Sequence, residues 1–113
     1  MIRVTLVSDR SDFCIRIIEN MREDGFDAYC IDDVSELLAE IAVYLPDVLV
    51  VDLSSDGVSA ASVLRHVRSS SKFQRLGVIV VADANASDRR LECVISGADA
   101  FLVMPLARQE LSI

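Results

Sequence analysis

Pro46-Asp47-Val48-Leu49-Val50-Val51-Asp52-Leu53 is the stretch that decides the fold. Pro46 cannot continue the helical pattern that precedes it. Val48 to Val51 is then an unbroken run of strand-forming apolar residues, closed by an acid at Asp52. A strand with one wet face alternates apolar and polar residues. An unbroken apolar run is buried on both faces, as in a parallel sheet covered by helices on each side. Ala28–Ile31, Val78–Ala82 and Ala100–Val103 read the same way, and Ile2–Val7, short, β-rich and largely apolar, also reads as a buried strand.

Helical spacing fills the intervals. Ser11 stands as an N-cap before the stripe Phe13, Cys14, Ile17, Ile18 and Met21, and Gly25 supplies a stop. Asp33 with Glu36 resembles a capping box ahead of Val34, Leu37, Leu38, Ile41 and Ala42. Ala60, Val63, Leu64 and Val67 mark a third helix. Ser87 caps a fourth, carrying Leu91, Val94 and Ile95 and stopped by Gly97. Leu106 opens a last helix. The strands and helices alternate throughout, and right-handed crossovers make the expected fold an α/β, doubly wound, five-stranded parallel sheet in the order 2-1-3-4-5.

Composition narrows the function. A chain of 113 residues suits one domain, 1–113, with a core that needs no staple. The net charge of −7 argues against direct binding of nucleic acid, and no basic stripe serves an anionic membrane. No apolar run reaches the length of a membrane span, and the start carries no signal peptide. Cys14, Cys30 and Cys93 are odd in number and widely spaced, which suits a reduced cytoplasm. With His66 the sole histidine, a multi-His metal site is excluded.

Function in such sheets gathers at the carboxyl ends of the strands, near the point where strand order reverses. Three of those ends carry acids: Val7-Ser8-Asp9, Val51-Asp52 and Ala82-Asp83. In the order 2-1-3-4-5, Asp9 and Asp52 fall on neighbouring strands. Two carboxylates side by side repel, and the pair favours a hard cation such as Mg²⁺. The competing reading has Asp9 capping the first helix and Asp52 starting a turn.

Four stretches together resemble response-regulator receiver domains of the chemotaxis-receiver kind. They are Val4-Thr5-Leu6-Val7-Ser8-Asp9, Pro46 to Leu53, Gly77-Val78-Ile79-Val80-Val81-Ala82, and Gly97-Ala98-Asp99-Ala100-Phe101-Leu102-Val103-Met104-Pro105-Leu106. The resemblance implies the flavodoxin-like receiver fold. It makes Asp52 the phosphoacceptor and assigns the metal to Asp9, Asp52 and the backbone carbonyl of Ser54. It also makes Phe101 the switching aromatic.

The same resemblance marks departures. Ser8 replaces the first acid of the metal pair, Ala82 the hydroxyl that senses the phosphoryl group, and Met104 the lysine before Pro105. The segment Leu53-Ser54-Ser55-Asp56-Gly57 follows Asp52 without the usual Met-Pro. Ala82 and Met104 have no donor for a phosphoryl oxygen, so the phosphorylated state loses both of its usual readers. Arg10 has two readings, a cation reaching over the pocket and a solvated arginine at a helix start; the sequence favours the second. Asp83 reads as turn chemistry with Ala84 and Asn85.

The remaining candidates have plain readings. Cys14 and Cys30 belong to the core. Cys93 falls off the stripe of the fourth helix and is expected exposed. His66 is a surface histidine. Only eight residues follow Pro105, so the last helix is expected to be truncated and the chain to be the N-terminal part of a longer regulator. Arg89, Arg90, Asp99 and Glu110 resemble charged positions of the receivers of winged-helix transcription factors. Those receivers dimerise through the fourth helix, fifth strand and fifth helix.

The expected function is an atypical receiver: a signal-responsive, homodimerising interaction module that controls an appended output domain, such as a DNA-binding one. It depends weakly or not at all on phosphorylation. The alternative is a conventional receiver, phosphorylated on Asp52 with Mg²⁺ by a sensor histidine kinase. A remoter one is a flavodoxin-like cofactor binder, which the carboxylate in Ser8-Asp9-Arg10-Ser11 disfavours. No nucleophile–base pair for an enzyme with its own turnover is evident.

Overall fold

Each stretch read as a strand forms a strand of one parallel sheet. The computed structural model describes residues 1–53, 59–82 and 89–103. In chain order the elements are β1 (Arg3–Val7), α1 (Ser11–Glu23), β2 (Asp27–Ile31), a 3₁₀ turn (Val34–Glu36), α2 (Leu37–Tyr44) and β3 (Val48–Asp52). They continue with α3 (Ala60–Ser69), β4 (Gly77–Ala82), α4 (Arg90–Ser96) and β5 (Ala100–Val103). The sheet order is β2-β1-β3-β4-β5, as expected. The register places Val7 beside both Ile31 and Val51, and Asp52 beside Val81. The residues expected to form the last helix lie outside the described residues.

Alternation along the strands splits the core in two. Val4, Leu6, Val50 and Val81 pack with Phe13, Cys14, Ile18 and Met21 of α1. Val7, Leu49, Val51, Val80 and Phe101 pack with Leu37 and Ile41 of α2, Val63, Leu64 and Val67 of α3, and Cys93 of α4. On the first three helices the stripe residues Phe13, Cys14, Ile18, Met21, Leu37, Ile41, Ala60, Val63, Leu64 and Val67 are therefore buried, and the Val34 side chain lies outside what the structure describes. The Pro46-Asp47 corner is tied to β1, since the backbone N–H of Arg3 donates to Asp47 Oδ2 at 2.8 Å.

The helix ends follow the sequence in part. Gly25 (φ 92°) and Gly97 (φ 118°) take the left-handed conformation that stops a helix. Asp33 does not build a capping box with Glu36. Its Oδ1 accepts from the backbone N–H and hydroxyl of Ser35, which closes the 3₁₀ turn before α2 starts at Leu37. Those two bonds hold the Asp33 carboxyl below the usual carboxylate range. Ser87 lies outside the described residues.

α4 is rotated relative to expectation. Leu91, Val94 and Ile95 are 69%, 50% and 76% exposed, and Cys93 is buried. The end of the helix explains the rotation. Arg68 of α3 donates to the Gly97 carbonyl from Nε at 3.1 Å and from Nη2 at 2.8 Å. A Cβ on Gly97 would lie 2.8 Å from the Arg68 side chain, so the missing side chain admits the arginine. Docking on α3 therefore turns Cys93 inward. Burial, and then the nearby Glu92, push the Cys93 thiol pKa up.

Among the described residues, one buried side-chain polar atom is orphaned. Thr5 Oγ1 is buried in the middle of β1 with no hydrogen-bond partner. A buried hydroxyl without a partner costs about 1–3 kcal/mol. Thr5→Val keeps the shape and removes the hydroxyl, so it is expected to raise the unfolding free energy by about 1 kcal/mol in urea titration. A destabilised variant would show that the hydroxyl is bonded.

Candidate functional site

The carboxyl edge of β1 and β3 forms the site, because their parallel pairing ends the two strands at one level. Asp52 is the last residue of β3 and its side chain is fully buried. Ser8 follows β1 and is buried as well. Its hydroxyl donates to Asp52 Oδ2 at 2.7 Å, and its backbone N–H donates to the Ile31 carbonyl at 3.0 Å. Ser8, where the resemblance implies an acid, thus serves as a donor to Asp52.

Arg10 is the finding that the sequence weighed the wrong way. It is not a solvated helix-start arginine. Its Nε donates to Asp52 Oδ2 at 2.7 Å and its Nη2 to Oδ1 at 3.0 Å. Both carboxylate oxygens are therefore engaged in a two-point fork, the strongest geometry available to this pair. The guanidinium lies 4.5 Å from the ring centroid of Phe13, and the Arg10 backbone N–H donates to Ser8 Oγ at 3.1 Å. Arg10 is the boundary residue of α1, in extended conformation. That conformation directs the chain back over the strand end. The arginine remains 37% exposed, so it covers the buried acid from the solvent side.

The metal implied by the resemblance is poorly matched by these residues. Ser8 offers a hydroxyl where the first acid of a metal pair would stand. Asp52 already holds a cation of the chain's own on both oxygens. Asp9 is exposed at the rim. Among the described residues, no group of three His, Cys, Asp or Glu side chains is placed to hold a metal ion. The Ser54 carbonyl and the stretch to Gly57 lie outside the described residues, as do Asp83, Met104, Pro105 and Glu110.

Other sequence-predicted positions are placed as follows. Ala82 ends β4, fully buried, and Phe101 is buried in β5. Arg89 faces Glu92 at 3.7 Å. Arg90 is exposed at the start of α4. Asp99 Oδ2 accepts from Arg68 Nη2 at 2.9 Å and from the Val78 backbone N–H at 2.8 Å, so this oxygen is spent inside the fold. His66 is exposed.

The cysteines depart from expectation. Cys14 is buried on α1, as read, but Cys30 is exposed on β2, and the two form a disulfide. Their Cα atoms are 6.4 Å apart, within the span a disulfide bridges. They stand 16 positions apart, so no short motif announces the pair. The available signal was topological: the crossover helix between β1 and β2 packs back on β2. Beside the pair opens a cavity of about 240 Å³ lined by Ser8, Asp9, Cys14, Ile15, Cys30 and Asp32. A larger open depression of about 590 Å³, between the 3₁₀ turn and α3, does not include Asp52.

No helix among the described residues is long and apolar enough to cross a membrane. No family model matches the chain. The phosphate regulon transcriptional regulatory protein PhoB of Rhizobium meliloti (strain 1021) is 26% identical over 96% of this chain and 48% of its own length. The transcriptional regulatory protein PrrA of Mycobacterium tuberculosis (strain ATCC 25618 / H37Rv) is 30% identical over 96% of this chain and 46% of its own length. The chain thus spans about half the length of these curated relatives. A response regulator receiver domain protein from Clostridium thermocellum superposes with a TM-score of 0.87 at 20% identity, covering 99% of this chain and 89% of that one. The chemotaxis response regulator CheY4 of Vibrio cholerae gives 0.85 at 19% identity, covering 96% and 91%. The resemblance read from the four motifs therefore holds in sequence and in structure, and the fold is that of a receiver domain.

Proposed function

We propose that this chain is an atypical receiver domain of a response regulator, a signalling module and not a turnover enzyme. In this reading it works as a signal-responsive interaction module with weak or no dependence on phosphorylation. The observation that carries the reading is the fork of Arg10 on Asp52. A phosphoacceptor carboxylate must present an oxygen to the donor and share its charge with a metal. Here Arg10 takes that charge, Ser8 takes a lone pair, and Ala82 offers nothing to an arriving phosphoryl group.

The output is proposed to be carried by an appended domain, as the response-regulator relatives suggest, with homodimerisation through α4, β5 and the segment after it. Leu91, Val94, Ile95 and Val103 present exposed apolar surface on α4 and β5. Arg90, beside them, supplies exposed charge. Such surface supports an interaction face.

The test treats the chain with acetyl phosphate and Mg²⁺ and scores intact mass. It also measures association state with and without beryllofluoride. The expected result is an unmodified mass and an association state that beryllofluoride leaves unchanged. A phosphoryl adduct that disappears in Asp52→Asn would overturn the reading in favour of a conventional phosphoacceptor.

A further inference from the structure

We infer that Cys14 and Cys30 are a reversible dithiol–disulfide site whose state is read at Asp52 through Ser8. Cys14 stands in the first turn of α1 and Cys30 near the end of β2, so the bond staples the start of the helix to the edge strand. Both sulfurs also lie against the Ser8 carbonyl oxygen, Cys14 Sγ at 3.6 Å and Cys30 Sγ at 3.8 Å. As thiols, each can donate a weak hydrogen bond to that oxygen; as a disulfide, neither can. Ser8 is the residue whose hydroxyl donates to Asp52 and accepts from Arg10. A change at the sulfurs therefore acts on the peptide that positions both partners of the carboxylate.

The site is open to small reagents. Cys30 is exposed, and the adjoining cavity admits a small molecule to the sulfurs. Asp9 and Asp32 line that cavity, so anionic thiols are repelled and neutral or cationic ones favoured. The reaction is thiol–disulfide exchange with a small disulfide. The Cys30 thiolate attacks the reagent and releases one thiol, forming a mixed disulfide. The Cys14 thiolate then displaces the second thiol. Two electrons pass from the pair to the reagent, and the two cysteine protons leave on the two released thiols. Cys93 is buried on α4, in the other half of the core, and takes no part.

The bond holds the β1–α1 turn and with it Arg10. Oxidation is therefore expected to favour the closed Arg10–Asp52 fork, and by linkage an intact fork favours oxidation. The full chain is equilibrated in cysteamine–cystamine or glutathione buffers, quenched in acid, unfolded, alkylated and weighed. Oxidised monomer should carry a label on Cys93 alone and reduced monomer on all three cysteines. Cystamine should act several-fold faster than oxidised glutathione. In a fixed cystamine buffer, Arg10→Met should shift the dithiol-to-disulfide ratio several-fold toward dithiol. Ser8→Ala, which keeps the Arg10 side chain but removes the hydroxyl that its backbone N–H bonds, should shift it the same way should Arg10→Met not fold. Thiols that stay free in oxidising buffer, a disulfide-linked dimer through Cys93, or a ratio unmoved in a folded variant would each overturn the inference.

Discussion

Arg10→Ala is expected to destabilise the chain by about 2–4 kcal/mol, as read from urea unfolding at neutral pH. The magnitude follows from what remains behind. Asp52 is fully buried at the end of β3, and Arg10→Ala takes from its carboxylate the cation that bonds both oxygens. An uncompensated buried charge costs several kcal/mol, whereas an exposed pair is worth less than about 1 kcal/mol. The 37% exposure of Arg10 places the effect below the fully buried limit. Arg10→Ala combined with Asp52→Asn removes the charge as well, and should recover most of the loss. A cycle in which the two changes simply add would show that the fork contributes nothing.

Arg68→Ala is the second large effect, expected at about 2–4 kcal/mol in the same measurement. Arg68 is a structural hub of α3. Its Nη1 donates to the carbonyls of Phe73 (3.2 Å), Gln74 (3.2 Å) and Leu76 (2.6 Å), while Nε and Nη2 reach the Gly97 carbonyl. Nη2 also meets Asp99, which in turn accepts from the backbone of β4. One planar cation thus ties together the end of α3, the segment entering β4 and the stop of α4. Alanine leaves the partly buried carbonyls of Phe73, Leu76 and Gly97 without a charged donor. Arg68→Lys should recover little, because an ammonium cannot reproduce the fork. Near-parent stability in Arg68→Lys would show that charge alone suffices.

Much of the fold was legible because it depends on period and punctuation. Runs such as Val48–Val51 fit only a doubly covered strand, and the stripe of α1 fits only a buried helix face. The site was legible as a place: Asp52 and the Ser8-Asp9 turn fall at one sheet edge as soon as the strand order is known. What could not be read were directions. The stripe Leu91, Val94 and Ile95 is a sound helical pattern, yet it faces outward. A helix as short as Arg90–Ser96 takes its rotation from its anchor on Arg68 and not from its own sequence.

The same distinction separates the two halves of this protein's identity. Residue identity and order alone carry the alternation of strands and helices, the parallel sheet, the receiver likeness and the presence of Ser8 and Ala82 at two strand ends. Each of these rests on residue type and local spacing. Packing alone turns Arg10 inward onto Asp52, brings Cys14 to Cys30 and places Asp99 against Arg68. These are contacts between residues 16 to 42 positions apart. A side chain of several rotatable bonds chooses its partner by the burial and charge that packing brings within reach. A solvated arginine and a clamped one have the same sequence, and the buried carboxylate beneath Arg10 makes the difference.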